Sequence, residues 1–530
     1  MKDQSGSGVP STKGRTAGIV GVVTVAVAVV GYLREAALAA HFGISTTMDG
    51  YFAAIFIPNI IYLVLIAGTL SPVFIPILMQ EHPEEEPAKA SITFSVVTNF
   101  ALLVFVAIVA CGTLAARFWL PALFPGFDAS TSRRAVQLIH IIFPALPFLA
   151  LAGILTALLN GFHKFWLAAF APAMASLPVV VAAVFARGDR AIYIVGLATA
   201  IGFILQCLVL LPPATSLKVR YRPILDFRHP AIKKVLRLGI PLFLYLAVAN
   251  AAAVLERNLA SRISTGAVST LTYALRLFAV PANFLAAPLA IVAYPGFARE
   301  AIREHRGELA TQVSRLFRVL VFVFVPVTVW IMVNAVPVTR VLYEHGKFSA
   351  ADSLVTARVL AIYSLAIIPN AVAIVLLRCF FAIEDTVTPL LAEIVDLGFF
   401  VTVATIMNRR FGLEGLVAAR SMTFLVVMSI LIIVLAKRGL LKFAGFPVFF
   451  LRTVTATLVM GAIAWLMWHF MQPLFQTAGT LPRLAIIAAT VFVSAAVFLG
   501  IASMLGLGES RQIFSTVVGL MPRRSNGGGE

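Results

Sequence analysis

The sequence predicts an all-α polytopic membrane protein of about fourteen transmembrane helices, built as two parallel six-helix repeats followed by two C-terminal helices. Three observations carry that prediction. Of the 530 residues, 60% are apolar and only 12% charged, with a mean hydropathy of +0.98, which excludes an ordinary soluble domain. A hydrocarbon core about 30 Å thick needs roughly 20 apolar residues per helix, and the chain supplies about fourteen such stretches. An internal repeat relates two parts of the chain: a single constant shift along the sequence lays Arg34 on Arg257, Pro58 on Pro281, Pro72 on Pro295 and Phe74 on Phe297.

The predicted spans, in order, are 16–40, 48–79, 91–120, 134–160, 165–186, 191–215, 236–261, 267–295, 315–339, 352–381, 387–408, 413–436, 447–471 and 482–506. Short polar breaks separate them. Residues 1–15, polar and rich in small residues, read as a disordered cytoplasmic tail, and the apolar stretch after them is too long for the core of a cleavable signal. Residues 16–215 form the N-lobe, 216–235 a basic cytoplasmic linker, 236–436 the C-lobe, 437–506 helices thirteen and fourteen, and 507–530 a cytoplasmic tail. Equivalent segments six helices apart enter the membrane from the same side, so the repeats are parallel and a substrate path between the lobes is expected.

The net charge of +18 marks topology rather than nucleic-acid binding, because the positives cluster in loops. Lys218, Arg220, Arg222, Arg228, Lys233, Lys234 and Arg237 surround one loop, Arg299, Arg303 and Arg306 another, and Lys437, Arg438 and Lys442 a third. With an even helix count these loops share a side with both termini, which places both ends in the cytoplasm. The acidic run EHPEEEPAK, Glu81 to Lys89, reads as a solvated loop. Cys111, Cys207 and Cys379 lie singly in apolar surroundings and read as small buried hydrophobes. There is no Gly-rich phosphate loop, no HExxH and no large loop with a catalytic cluster, so neither an enzyme nor a self-contained ATP-driven pump is expected.

Charges inside the spans are the sharper signal, since an Arg or Asp at a helix centre costs roughly 2.5–3.5 kcal/mol on insertion scales. Arg34 and Glu35 fall in helix one, Asp49 opens helix two, Glu256 and Arg257 fall in helix seven and Arg276 in helix eight. Mutual neutralisation or snorkelling is the structural reading; the functional reading is a cavity for an anion. Three guanidiniums suit a diphosphate, because the planar fork binds phosphate oxygens bidentately and keeps its charge when partly desolvated. Asp49 either orients one of the arginines or caps its own helix. Glu393 and Asp396 share a face of helix eleven and are candidates for sodium or proton coupling, with structural pairing to Arg420 or Arg378 as the competing reading.

Several segments then resemble a known family. GYLREAALAAHFG followed by Asp49, FAAIFIPN and FIPIL is similar to the GxxRD…FG…DAFF…PN…FVPIL pattern of the MurJ (MviN) lipid II flippases, members of the multidrug/oligosaccharidyl-lipid/polysaccharide exporter superfamily. YALRLFAVP from Tyr273, HGKFSAADSLVTARVLAIYS from His345 and EDTVTP from Glu384 resemble that family's YxxRLxxxP, YGKFxxxDxxxTxxxLxxYS and QDxxTP elements. The resemblance spans nearly the whole chain, and Gly346, Lys347 and Phe348 are its most specific part.

It implies a lipid flippase of the bacterial inner membrane that serves peptidoglycan synthesis and moves undecaprenyl-pyrophosphate-linked muropeptide between leaflets by alternating access. No cofactor is implied, though the membrane potential and a Na+ or H+ ion are candidate driving forces, and Glu393 and Asp396 fall in the lobe where some members hold a cation. Carried over by position, Arg34, Asp49 and Arg276 fall on charged cavity positions, Arg257 on a further cationic one, and Glu35 replaces the usual Asp. The chain departs from the pattern at Ala28, Tyr62 and Leu63, where the family has arginines, and at Ala67, where it has an acidic residue. Those departures keep open a flippase for another undecaprenyl-linked oligosaccharide. A multidrug exporter of the same superfamily is the other alternative, and the basic bias of the mid-membrane charges argues against it. Pro58, Pro72, Pro281 and Pro295 are paired hinges or kinks.

Overall fold

The computed structural model describes residues 12–81, 83–303 and 305–509, with side chains omitted at 12–20, Ala67 and Ser71. Of the tails expected at 1–15 and 507–530, residues 1–11 and 510–530 lie outside the described residues; Thr12 to Arg15 already form the first turn of a helix. Every regular element among the described residues is helical.

The chain divides into two compact units. The first holds the described residues up to Ser269, together with His345–Phe348. Its helices are α1 (Thr12–Phe42), α2 (Thr46–Met79), α3 (Pro87–Leu114), the short α4 (Ala116–Leu123), α5 (Ala129–Gly161), α6 (Phe165–Phe185), α7 (Ala191–Thr215) and α8 (Pro230–Ser261). Helices α6 and α7 pack along each other, α1 lies on α6, and α5 fills the middle against α7. Small residues permit this closeness: a Cβ on Gly202 would sit 2.4 Å from the Ala175 carbonyl oxygen. The division expected at 216–235 falls inside this unit, because α8 packs on α2 and α3.

Helix α9 (Ala267–Ile302) leaves the first unit after Ser269 and opens the second. There follow α10 (Arg306–Val333), the short α11 (Ala335–Tyr343), α12 (Ala350–Ser364), α13 (Ile367–Ala382), α14 (Val387–Lys437), α15 (Phe446–Thr477) and α16 (Thr480–Met504). Within the second unit α13 packs against α9, α10 and α14, while α15 packs on α10 and α16.

Twelve described helices are long and apolar enough to cross a membrane, thirteen when the bent pair α12–α13 is counted as one span. Helix α14 is the remaining difference from the fourteen expected. At 1.5 Å per residue its 51 residues reach about 77 Å, more than twice a hydrocarbon core, and the backbone breaks at Gly412 (φ 56°, ψ −135°). Its two arms correspond to the spans predicted at 387–408 and 413–436.

Three predicted spans are interrupted. That of 91–120 breaks at Ala115 between α3 and α4, that of 315–339 breaks at Asn334 before α11, and that of 352–381 bends by 45° after Ser364. At the bend Pro369, in the first turn of α13, cannot donate a backbone hydrogen bond to a preceding turn. Cys207 and Cys379 are buried as expected; Cys111, on α3, is exposed instead.

The repeat is visible in local backbone geometry. Gly43 and Gly266, equivalent positions of the repeat, both take left-handed conformations (φ 61° and 83°), and each precedes the second helix of its repeat. Pro58 and Pro281 each stand shortly before a π-helical stretch, Leu63–Leu70 in α2 and Ala282–Ala286 in α9.

Candidate functional site

The charged residues flagged in the sequence fall into separate local arrangements. In the first unit, Nη2 of Arg34 donates to Oε1 of Glu35 at 2.6 Å. Glu35 is 3% exposed and the Arg34 side chain 25%, so the carboxylate is sealed while part of the arginine side chain stays accessible. Adjacent residues point about 100° apart on a helix, and the long Arg side chain curls back to reach its neighbour.

Arg257 on α8 stacks on Phe56 of α2, its guanidinium carbon 3.8 Å from the ring centroid, and donates to the Ala253 carbonyl at 3.3 Å. Stacking of this kind keeps a cation inside an apolar bundle at lower cost than hydrocarbon would. Its neighbour Glu256 is buried.

Asp49 neither orients an arginine nor caps its own helix. Ser45 caps α2, accepting from the Met48 N–H, and the Asp49 carboxylate reaches across to the backbone N–H groups of Gly266 (2.6 Å) and Ser269 (2.7 Å). It thereby serves the first turn of α9, where the orphan N–H groups and the positive end of the helix favour an anion. With Asp49 only 3% exposed, both oxygens are committed to backbone.

The HGKF segment is built onto the end of α1. The Lys347 N–H donates to the Ala40 carbonyl at 2.7 Å, and Gly346 (φ 59°) sits so close that a Cβ there would lie 2.2 Å from the same oxygen. Tyr62, half-buried, packs beside Gly153, while Leu63 is exposed. Ala28 is half-buried on α1, and the side chain of Ala67 lies outside the described residues.

In the second unit Arg276 is exposed on α9. Asp396 and Arg420 form a sealed ion pair at 2.8 Å, with side chains 4% and 10% exposed. Arg420 also donates to Thr423 at 3.0 Å and lies over Phe424, 4.5 Å from the centroid. The competing structural reading of Asp396 is therefore the one its geometry matches, while Glu393 is half-buried and Arg378 exposed on α13. Arg358, also exposed, pairs with Glu414 at 3.2 Å.

EDTVTP is a helix start. Asp385 accepts from the Val387 and Thr388 N–H groups and from the Thr388 hydroxyl, and Arg438 closes on it at 2.7 Å. Burial works to raise its pKa, but the Thr388 hydrogen bonds and the Arg438 guanidinium outweigh burial and hold the carboxyl below the ordinary range. In the first unit Asp128 caps α5 similarly, and hydrogen bonds from Ser130 and Thr131 bring it down to about 2.

One group among the described residues brings metal-type donors together, Glu300, His305 and Glu308, within 4.8 Å of one another. His305 and Glu308 are exposed at the start of α10, and their spacing is that of a solvated ion-pair network.

These arrangements put buried and half-buried cations on duplicated membrane helices, and comparison with known proteins decides what kind of bundle this is. The model of the family described as lipid II flippase MurJ matches residues 38–486. The chain belongs to the lipid II flippase MurJ family. Among relatives, the lipid II flippase MurJ of Burkholderia cenocepacia is 28% identical over 496 residues, covering 90% of this chain and 94% of that protein. The probable lipid II flippase MurJ of Vibrio cholerae is 27% identical over 462 residues, covering 84% and 88%.

A solved lipid II flippase MurJ in an inward closed conformation superposes with a TM-score of 0.77 at 22% identity, covering 94% of this chain and 99% of that one. An inward-facing MATE family multidrug transporter superposes at 0.66 with 16% identity, covering 79% and 98%; both likenesses show the fold alone. Sequence reading flagged these charges but missed their partners. Phe56 under Arg257, and Gly266 and Ser269 on Asp49, carry no spacing signal, because the members of each pair stand far apart in the chain.

Proposed function

We propose that this chain is a lipid II flippase that carries undecaprenyl-pyrophosphate-linked muropeptide from the inner to the outer leaflet of a bacterial inner membrane by alternating access, supplying cell wall synthesis. The carrying observation is the family match over residues 38–486. Transport of this kind makes and breaks no covalent bond, and the reading is a transporter rather than an enzyme.

The residues support it in kind. The Arg34 side chain is a quarter exposed beside a sealed carboxylate, and Arg257 presents a stacked cation, so each suits the need of a diphosphate for fixed, partly desolvated forks. Arg276, in the second unit, is exposed on α9. Asp49 and Glu35 act on this proposal as positioning groups, one holding the start of α9 and the other orienting Arg34. The lipid tail needs apolar surface, and the second unit offers a groove of about 500 Å3 lined by Phe284, Phe322, Trp330, Met460 and Phe498.

An inside-negative potential favours outward anion movement by about 2.3 kcal/mol per charge per 100 mV. If a Na+ or H+ ion adds to it, Glu393 is the better candidate of the acidic pair, since Asp396 already neutralises Arg420. Both termini are placed in the cytoplasm on the strength of the basic loops.

The test is complementation. After depletion of the native lipid II flippase in a bacterial host, this chain is expected to restore growth and outer-leaflet lipid II, and Arg34→Ala to abolish the rescue at unchanged membrane abundance. Failure despite good membrane expression would transfer the proposal to another undecaprenyl-linked glycan.

A further inference from the structure

The first unit contains a cavity of about 680 Å3 that the transport reading above does not use. Its walls carry His41 at the end of α1, Arg134 at the start of α5, Arg187 and Asp189 between α6 and α7, and Lys347 of the HGKF segment. Three permanent cations thus face one carboxylate. These elements meet at one end of the unit: α1 and α6 finish there, and α2, α5 and α7 begin there. The basic 216–229 segment joins α7 to α8 at the other end.

The cations are held in place. Arg134 donates to the Thr47 hydroxyl at 3.3 Å, and Arg187 to the Val184 and Ala186 carbonyls at 2.6 and 2.8 Å. Lys347 is fixed through its own N–H on Ala40. A concave site with one dominant sign of charge concentrates anions. Apolar surface borders it: Val184, which lines the cavity, is 47% exposed and its neighbour Phe185 74%. A free anion has no use for that rim; a headgroup attached to a hydrocarbon chain does.

We propose that this cavity is a second binding site, for the phosphate of an anionic lipid headgroup, at the end of the first lobe opposite the basic 216–229 segment, with Arg187 and Lys347 as its principal contacts. Two sources share that chemistry. One is the pyrophosphate of the transported lipid on its way out, which rests on the reading above, and the other is a resident anionic phospholipid. The HGKF element thereby acquires a chemical role: Gly346 brings its backbone against α1, and Lys347 faces the cavity.

The experiment is native mass spectrometry of the full-length detergent-solubilised protein with farnesyl pyrophosphate, dihexanoyl phosphatidylglycerol or inorganic pyrophosphate as probes. An Arg34→Gln/Arg257→Gln variant is expected to retain one bound lipid anion, and adding Arg187→Gln/Lys347→Gln to weaken that remaining binding by about tenfold or more. The charge-conserving Arg187→Lys/Lys347→Arg exchange is expected to keep it, which separates loss of charge from loss of fold. Preference for farnesyl pyrophosphate over phosphatidylglycerol identifies the transported headgroup, and the reverse a bilayer phospholipid. No lipid anion left on the Arg34→Gln/Arg257→Gln variant, unchanged binding after Arg187→Gln/Lys347→Gln, or equal binding of inorganic pyrophosphate would each overturn the assignment. Binding that persists in a protein that fails to flip lipid II would sink the transport reading and leave this site standing.

Discussion

Each lobe carries an arginine within hydrogen-bonding distance of a carboxylate on membrane-spanning helices, and the two pairs are built differently. Asp396–Arg420 joins the two arms of α14, lies between Phe424 and Phe400, adds Thr423 and is almost entirely sealed. Arg34–Glu35 joins adjacent residues of α1, and only its carboxylate is sealed. A charge count treats them alike. The first arrangement resembles a structural rivet, since removing either partner strands a charge in a medium that cannot solvate it, whereas in the second only the carboxylate is sealed and part of the arginine side chain stays open to a ligand.

The largest expected effect breaks the rivet. Arg420→Leu should destabilise the protein by about 3–5 kcal/mol by leaving Asp396 buried and unpaired, and Asp396→Leu/Arg420→Leu should recover most of that loss. Thermal unfolding of the detergent-solubilised protein reads both, and a single variant as stable as the parent would show that the pair is not structural.

Next come Arg34→Gln and Arg257→Gln, which on the functional reading should cost transport roughly tenfold to hundredfold each, equivalent to about 1.5–3 kcal/mol of charge-assisted hydrogen bonding; stability should be nearly unchanged in Arg257→Gln and lowered in Arg34→Gln, which takes the ion-pair partner from the sealed Glu35. Outer-leaflet lipid II, measured at equal membrane abundance, checks this. Normal transport in both would erase the contrast between the lobes.

Asp49→Asn should act more mildly, by about 1–2 kcal/mol, since an amide replaces a charged acceptor at two N–H groups. Faster amide hydrogen exchange confined to the first turn of α9 would report it, and unchanged exchange there would refute the role given to Asp49.

The smallest effect compares helix starts. Asp128 titrates at about 2 in the folded protein against an ordinary value near 3.9. Its folded-state pKa is depressed, so the stability it contributes is complete above about pH 4 and is lost as pH falls toward 2. The difference in melting temperature between wild type and Asp128→Ala should hold from pH 7 to 5 and shrink below 4. Asp385, also depressed, should behave in the same sense in the second lobe.

Most of the fold was legible because membrane insertion imposes a local rule: enough consecutive apolar residues make a span wherever they occur. That rule finds α2 or α16 without reference to any neighbour. It fails at interruptions such as Ala115 and the 45° bend after Ser364, where the composition stays apolar and only backbone geometry changes. The charged positions were legible for the same reason, since Arg34 and Asp396 violate the rule. Their roles were not, because whether a charge is a rivet, a cap or a ligand contact depends on partners brought in by packing. Asp49 shows this most plainly, since the N–H groups it holds belong to Gly266 and Ser269, on the far side of six intervening helices.

The placement of His345–Phe348 in the first unit bears on how the protein is made. Ser269 ends the main run of that unit, yet Lys347 must still come back to Ala40, so the lobe is incomplete until residue 348 of 530 has been synthesised. At ordinary elongation rates of about 5–20 residues per second, the wait for that stretch is roughly 4–16 s. Through that interval the end of α1 lacks its hydrogen bond from Lys347, and a ribosome stalled within the stretch would leave the lobe with that contact missing.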